Sequence, residues 1–249
     1  MESNPSNIAC GLVKKKMIIG NGLIASTFKN EYEHSKNVLI FASGVSNSLS
    51  SLEDDFAREK RLLFNLSNSY CFDNFLVVYF STCSISTTNS SEISPYIKHK
   101  IEMEALISQL QNYLIIRLPQ TAGFTNNPYT LLNYLFNHIN SSTRFEAWPL
   151  STRNIIDLED VLKITKFIIA NKLFLNSIID IANTQNCNVL EIIKCFECIT
   201  QKKATYYETN KSSKILINTE NINRYLDYLN IHFDDDYLFD VLHKYYANR

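Results

Sequence analysis

Glycine and proline are scarce in this chain, five of each in 249 residues. That excludes a collagen-like repeat or a Gly/Pro-rich linker, and it leaves few places where the backbone can turn sharply. No apolar run approaches the roughly 20 residues that cross a bilayer, and the first sixteen residues lack the apolar stretch a secretory signal needs behind its basic cluster. A cytoplasmic protein is therefore expected. An excess of one charge is also missing: 24 basic and 25 acidic residues give a formal net charge of −1, with no footprint for nucleic acid or an anionic membrane. Cysteines are few and scattered (Cys10, Cys71, Cys83, Cys187, Cys195, Cys198), which excludes a disulfide framework and predicts reduced thiols.

Several candidate metal sites fail for the same want of partners. Cys195 and Cys198 form a CxxC, but they sit in a stretch with helical apolar spacing and no second such pair stands nearby, so small residues on a helix are expected. His34, His99, His138, His232 and His243 have no mutual metal spacing, and Asp234, Asp235 and Asp236 lack the glycine and terminal glutamate of a calcium loop. No metal site is predicted. Trp148 and the tyrosine-rich tail read as packing anchors before they read as stacking platforms.

What is present is an enzyme-sized unit with 45% hydrophobic residues, enough for one large core or a core with a small second lobe. Apolar runs at residues 17–19, 37–41, 75–80 and 113–118 lack polar alternation. Helical spacing separates them, at residues 51–66 and 96–111. Strands of that kind belong to a parallel sheet covered on both faces, so the first 120 residues predict an α/β fold. Further helices are expected at 129–139, 159–170 and 189–200, with a strand at 143–148.

Chemistry-bearing residues stand at the ends of those strands. Gly20-x-Gly22-x-x-Ala25 lies between a strand and a helix, where glycines let a backbone approach a pyrophosphate and the helix terminus offers free N–H groups. A purely structural glycine turn would look the same. The acidic residue that should follow about 20 positions on, to hold an adenosine ribose, is missing, because the next strand ends in Ala42-Ser43-Gly44. Ser81-Thr82 ends the third strand, and Ser94-Pro95 caps a helix that carries Tyr96 and Lys100 on one face. Such an ammonium is expected to lower the pKa of the phenol and fit it for proton exchange.

In this context Thr82, Tyr96 and Lys100 resemble the catalytic set of the extended short-chain dehydrogenase/reductases, the nucleotide-sugar epimerase/dehydratase family. Residues 116–123 resemble the family's Arg-x-x-Asn-x-x-Gly strand end, with Gln120 in the Asn position. Residues 153–161 resemble its Arg-Asp-Phe-x-x-Val-x-Asp-Val segment, and 188–193 the Ser-Val-x-Glu-Ile helix start. The likeness runs from about residue 17 to residue 249. It implies a Rossmann-like parallel sheet with helices on both faces, NAD or NADP as cofactor and a nucleotide sugar as substrate. It further implies Thr82, Tyr96 and Lys100 as catalytic residues, with Gly20, Asn21, Gly22, Leu23, Ile24, Ala42, Ser43, Gly44 and Lys100 around the cofactor. Thr82, Gln120 and Arg153 are implied around the substrate.

Tyr96 follows Ala25 by only 71 positions, where similar enzymes fit two more strands, so the fold is a shortened form. Similar dehydratases place an Asp-Glu pair after the Thr; Cys83-Ser84 stands there instead, which favours a reductase or epimerase, in surface-polysaccharide precursor synthesis by family analogy. A catalytically silent dinucleotide- or nucleotide-sugar-binding regulator of the same fold is the rival. The expected organisation is a dispensable arm (1–16), a cofactor-binding domain (17–182) and a small substrate-binding lobe (183–249, with 121–150 contributing). A homodimer is the assembly to test.

Overall fold

The computed structural model describes residues 16–45, 53–69, 72–87 and 93–249. The predicted arm, Lys16 apart, lies outside them, as do Cys10 and Cys71. The chain opens with β1 (Ile18–Ile19), α1 (Leu23–Tyr32), β2 (Val38–Phe41), α2 (Glu53–Ser69), β3 (Leu76–Thr82), α3 (Pro95–Ile107) and β4 (Tyr113–Leu118). Shorter elements follow: β5 (Gln120–Ala122), α4 (Leu131–Asn140), β6 (Phe145–Ala147), β7 (Thr152–Arg153), β8 (Ile155–Asp157) and α5 (Leu158–Ala170). The chain ends with β9 (Ser177–Asp180), β10 (Cys187–Asn188), α6 (Val189–Thr200), β11 (Tyr206–Glu208), α7 (Glu220–Leu226) and α8 (Tyr237–Tyr246).

Five strands form one parallel sheet in the order β1-β2-β3-β4-β9. Because side chains alternate along a strand, each central strand feeds two cores. Val38 and Ile40 of β2, Val78 and Phe80 of β3, and Leu114 and Ile116 of β4 meet Phe28 of α1 and the apolar sides of α4, α5 and α6. Their neighbours Leu39, Phe41, Val77, Tyr79 and Ile115 meet Leu63 and Leu66 of α2 and Met103 and Ile107 of α3. That is why these runs are apolar throughout, as a sheet covered on both faces requires. The expected α/β order holds, and β4 and α6 fall on their predicted bounds.

Strand β9 was not legible. Its stretch is interrupted by Asn176 and Asp180, and as an edge strand it leaves Ile178 39% exposed. The acidic, aromatic tail also has more structure than its composition shows, for it forms α7 and α8. Phe136, Phe196 and Tyr246 pack ring against ring to join α4, α6 and α8. The Tyr245 hydroxyl and Lys244 Nζ both donate to Asp157, the N-cap of α5 (2.7 and 2.8 Å). Tyr237, Tyr245 and Tyr246 of the tail are buried packing anchors, as expected, whereas Tyr228 is 75% exposed.

Among the described residues strand β1 is an edge strand, and its single partner is β2. In a doubly wound sheet of order 3-2-1-4-5-6, strand 1 is flanked on both sides and the strand order reverses beside it. Here the steps β1 to β2, β2 to β3 and β3 to β4 all move the same way. Yet α1 packs on one face while α2 and α3 pack on the other. The β1-α1-β2 crossover therefore has the opposite hand to the two that follow, against the strong preference for a single hand. Omitting two strands after α1, the shortening read from the spacing, leaves this arrangement: α1 keeps its face while its following strand moves to the other side of β1.

Gly20 makes the narrow β1–β2 end possible. Its φ is +129°, and a Cβ there would lie 2.3 Å from the Ala42 carbonyl oxygen. At Gly22 a Cβ would meet nothing within 4 Å. Gly20→Ala should cost roughly 2 kcal/mol or more through strain and overlap, whereas Gly22→Ala should cost no more than about 1 kcal/mol as an N-cap change. Denaturant melts of the two variants check the contrast.

Candidate active site

Because all five strands of the sheet run the same way, every loop leaving its carboxyl edge emerges on one side. That side gathers Gly20 to Gly22 after β1, Ala42 to Gly44 after β2, Thr82 at the end of β3 and Gln120 after β4. Open parallel sheets bind ligands at this edge. Helix α3 returns from the same edge, capped as predicted: the Ser94 hydroxyl accepts from Ile97 N at 3.3 Å, and Pro95 opens the first turn. One face of α3 then carries Tyr96, His99, Lys100, Met103 and Ile107 into the sheet.

Thr82 and Tyr96 are both buried, each 8% exposed. Burial pushes the Tyr96 phenol up to about 12, against the pull of the Thr82 side chain, which hydrogen-bonds it; the Glu59 carboxylate adds to the rise. This corrects the expectation that Lys100 lowers the phenol's pKa. The ammonium faces the other way: Lys100 Nζ donates to Tyr79 Oη (2.9 Å) and to Glu59 Oε1 (3.4 Å). It sits beneath the Gly44 turn, where a Cβ would come within 2.7 Å of Nζ.

Glu59, on α2, is the residue the sequence reading missed. It is completely buried and each oxygen is used: Oε1 accepts from Tyr79 Oη (2.9 Å) as well as Lys100, while Oε2 accepts from Val45 N (3.1 Å) and pairs with His99 Nε2 (2.8 Å). Burial alone would raise this carboxyl, but the His99 bond, the Lys100 charge and the Val45 N–H together bring it down to about 2. His99, read from sequence as a surface or packing histidine, does stack on Phe56 (4.6 Å) and also supplies a donor to the carboxylate. A signal did exist: Glu59 shares the spacing of Phe56, Leu63 and Leu66, so it stands in the apolar stripe of its helix, where an acid is anomalous.

The substrate candidates are more dispersed. Gln120 opens β5, with its N–H donating to Asn154 O (3.1 Å). Arg153 lies in the β7–β10 ladder, outside the main sheet, and its Nη1 donates to the carbonyls of Thr152 (2.7 Å) and Ser213 (3.4 Å). Next to Ser81 in the ladder, the partly buried Arg117–Glu104 pair (2.8 and 2.7 Å) ties β4 to α3. Arg117 Nη1 also donates to Ser86 Oγ (3.3 Å), and on that side a cleft of about 470 Å³ is lined by Ser86, Asp180 and residues 216–220; Thr82 and Tyr96 do not line it. The described cysteines Cys83, Cys187, Cys195 and Cys198 are free thiols. Among the described residues no cluster of metal-ligating side chains is present, and no helix is long and apolar enough to cross a membrane.

The Glu59 network has a measurable pH signature. Its carboxyl is held below its ordinary value of 4.5, so its stabilising effect is complete above that pH and is lost as the pH falls from there toward about 2. Acid unfolding of Glu59→Gln should show a shallower loss of stability across that window than the parent chain, measured by urea melts from pH 5 to pH 2.

No protein-family model and no curated protein matches the sequence. Solved structures do resemble the fold. The UDP-glucuronic acid 4-epimerase from Bacillus cereus in complex with NAD aligns with a TM-score of 0.67 and 17% identity, over 89% of this chain and 75% of that one. The dTDP-glucose 4,6-dehydratase from Bacillus anthracis in complex with NAD aligns at 0.64 and 13%, over 83% and 71%. The UDP-glucose 4-epimerase from Thermotoga maritima with UDP-glucose aligns at 0.63 and 14%, over 83% and 75%. The chain thus has the fold of these nucleotide-sugar epimerases and dehydratases, and among the described residues its sheet ends at β1.

Proposed function

We propose that this chain is an NAD(P)-dependent enzyme acting on a nucleotide sugar, a reductase or epimerase in which Tyr96 exchanges the proton. The observation that carries the reading is the buried Thr82–Tyr96 pair at the carboxyl edge of a parallel sheet, next to Lys100 and a glycine turn at a helix N-terminus. Neighbours of this fold are crystallised with NAD or with a UDP sugar.

The residues fit a dinucleotide. Gly22 faces open space at the start of α1, and the close approach at Gly20 leaves the β1 and β2 ends side by side, so Gly20, Asn21, Gly22, Leu23 and Ile24 would hold the pyrophosphate. Ala42, Ser43, Gly44 and Lys100 would border the nicotinamide ribose. The cofactor supplies the hydride chemistry. Thr82 orients the sugar oxygen and Tyr96 moves the proton. A phenol that stays protonated suits donation to a carbonyl oxygen, which favours the reductive direction. Gln120 and Arg153 remain the proposed substrate contacts, and the division into a cofactor domain (17–182) and a substrate lobe (183–249) goes with them. A cytoplasmic location and a homodimer complete the proposal.

Tyr96→Phe should lower turnover by roughly 100-fold to 10,000-fold, the range of general acid/base groups, with dinucleotide binding retained. Thr82→Val should mainly slow turnover, and Lys100→Met should weaken both turnover and binding. The measurement is steady-state turnover on nucleotide sugars found by thermal-shift screening, together with dinucleotide affinity. Turnover by Tyr96→Phe near the parent rate would replace this mechanism. Dinucleotide binding with no turnover by the parent chain would favour the silent-regulator reading, which the bare β1 edge motivates.

A second outcome follows from that edge. The described sheet has no strand beyond β1, and no carboxylate follows β2 before Glu53. Nothing at the usual place reads the adenosine ribose, so NAD and NADP should bind with affinities within about fivefold of each other. Calorimetric titration with each decides it; a larger preference would require another group to read the ribose phosphate.

A further inference from the structure

Burying a lysine disfavours its charged form, and an isolated buried amine gives up its proton. Lys100 is 3% exposed, and burial lowers its pKa, with Glu59 opposing the fall. Groups from every packed element face it. They are Glu59 from α2, Tyr79 from β3, Tyr96, His99 and Glu104 from α3, and the Gly44 backbone after β2.

These groups are not equally available to the amine. Glu104 has both oxygens engaged by Arg117 (2.8 and 2.7 Å). His99 takes the Oε2 side of Glu59. Tyr79 donates its proton to Glu59 Oε1 and therefore presents a lone pair to Lys100. The hydrogen bonds close in one direction: Lys100 to Tyr79, Tyr79 to Glu59, and Lys100 to Glu59 directly. Among the described residues Glu59 is the one carboxylate that Lys100 touches.

We propose that Glu59 is a positioning residue of the site, whose buried carboxylate, relayed by Tyr79, holds the Lys100 side chain beneath the Gly44 turn and keeps it an ammonium. The inference rests on the role proposed above for Lys100. It adds a residue from α2, outside the Tyr-x-x-x-Lys helix, and it makes the charge on Lys100 a property of three elements packed together. An amine that lost its proton there would offer no charged donor to a ribose.

The test compares full-length Glu59→Gln, Glu59→Asp, Lys100→Met and the Glu59→Gln/Lys100→Met double variant with the parent chain. In Glu59→Gln, turnover at neutral pH should fall by up to about 100-fold, as for a displaced catalytic group, with the nucleotide-sugar KM within about threefold. Its alkaline limb should move down by at least about one pH unit, so that lowering the pH restores rate. Glu59→Asp, which keeps the charge, should recover much of the loss. An unchanged rate and an unmoved pH profile in a folded Glu59→Gln would overturn the proposal.

If Glu59→Gln folds too poorly for kinetics, the melting temperatures decide. Removing one member of a buried pair costs more than removing both, so the double variant should melt above the Glu59→Gln single. Strictly additive losses would show that the two residues do not act on each other. A parent chain that binds no dinucleotide would overturn the functional reading instead, while the melting comparison would still test the pair.

Discussion

Parallel pairing is the constraint from which the rest of this molecule follows. Two parallel strands cannot be joined by a tight turn, so each connection within β1 to β4 crosses a face of the sheet as a helix, and both faces become buried. The carboxyl ends then share one edge. Chemistry that would be scattered in another topology, at Gly20 to Gly22, Gly44, Thr82, Tyr96 and Lys100, is collected there by chain direction alone. Three of the five glycines, Gly20, Gly22 and Gly44, follow strands at this edge. In a chain so poor in glycine they mark where backbones or a ligand must come close. At Gly20 the Ala42 backbone leaves no room for a Cβ, and at Gly44 a Cβ would displace the end of the Lys100 side chain.

Shortening the fold has a local cost that the structure contains at β1. With no further strand beside it among the described residues, β1 is a two-residue edge, and α1 crosses back with the uncommon hand. Packing holds this arrangement. Phe28 of α1 is fully buried against Phe80 (centroids 5.1 Å apart), and Lys166 of α5 pairs with Glu31 of α1 (2.7 Å). The helix stays where the large core needs it, and the connection adapts.

On the opposite face the sheet carries a different burden, a set of ionisable groups under the Gly44 turn. A carboxylate as buried as Glu59 survives only where its lone pairs are met. Here four donors from three places in the chain meet them: Val45 after β2, Tyr79 on β3, and His99 and Lys100 on α3. The result is electrostatic insulation. The charge on Lys100 is balanced by Glu59 more than it is shared with Tyr96, and the phenol keeps its proton.

Local pattern determined much of this. Apolar runs without alternation gave the parallel sheet, the spacing between the glycine turn and Tyr96 gave its missing strands, and Ser94-Pro95 gave the start of the helix that carries Tyr96 and Lys100. Those features depend on neighbours within a few residues, or on chain length, and both are written along the sequence. What the tertiary structure decided depends on residues far apart. Strand β9 exists because β4 offers it a ladder, not because its own residues demand one. Glu59 meets Lys100 across 41 positions, and no local rule says which way an ammonium will turn between a phenol four residues back and a carboxylate on another helix. That choice is made by desolvation, which exists only once the helices close on the sheet.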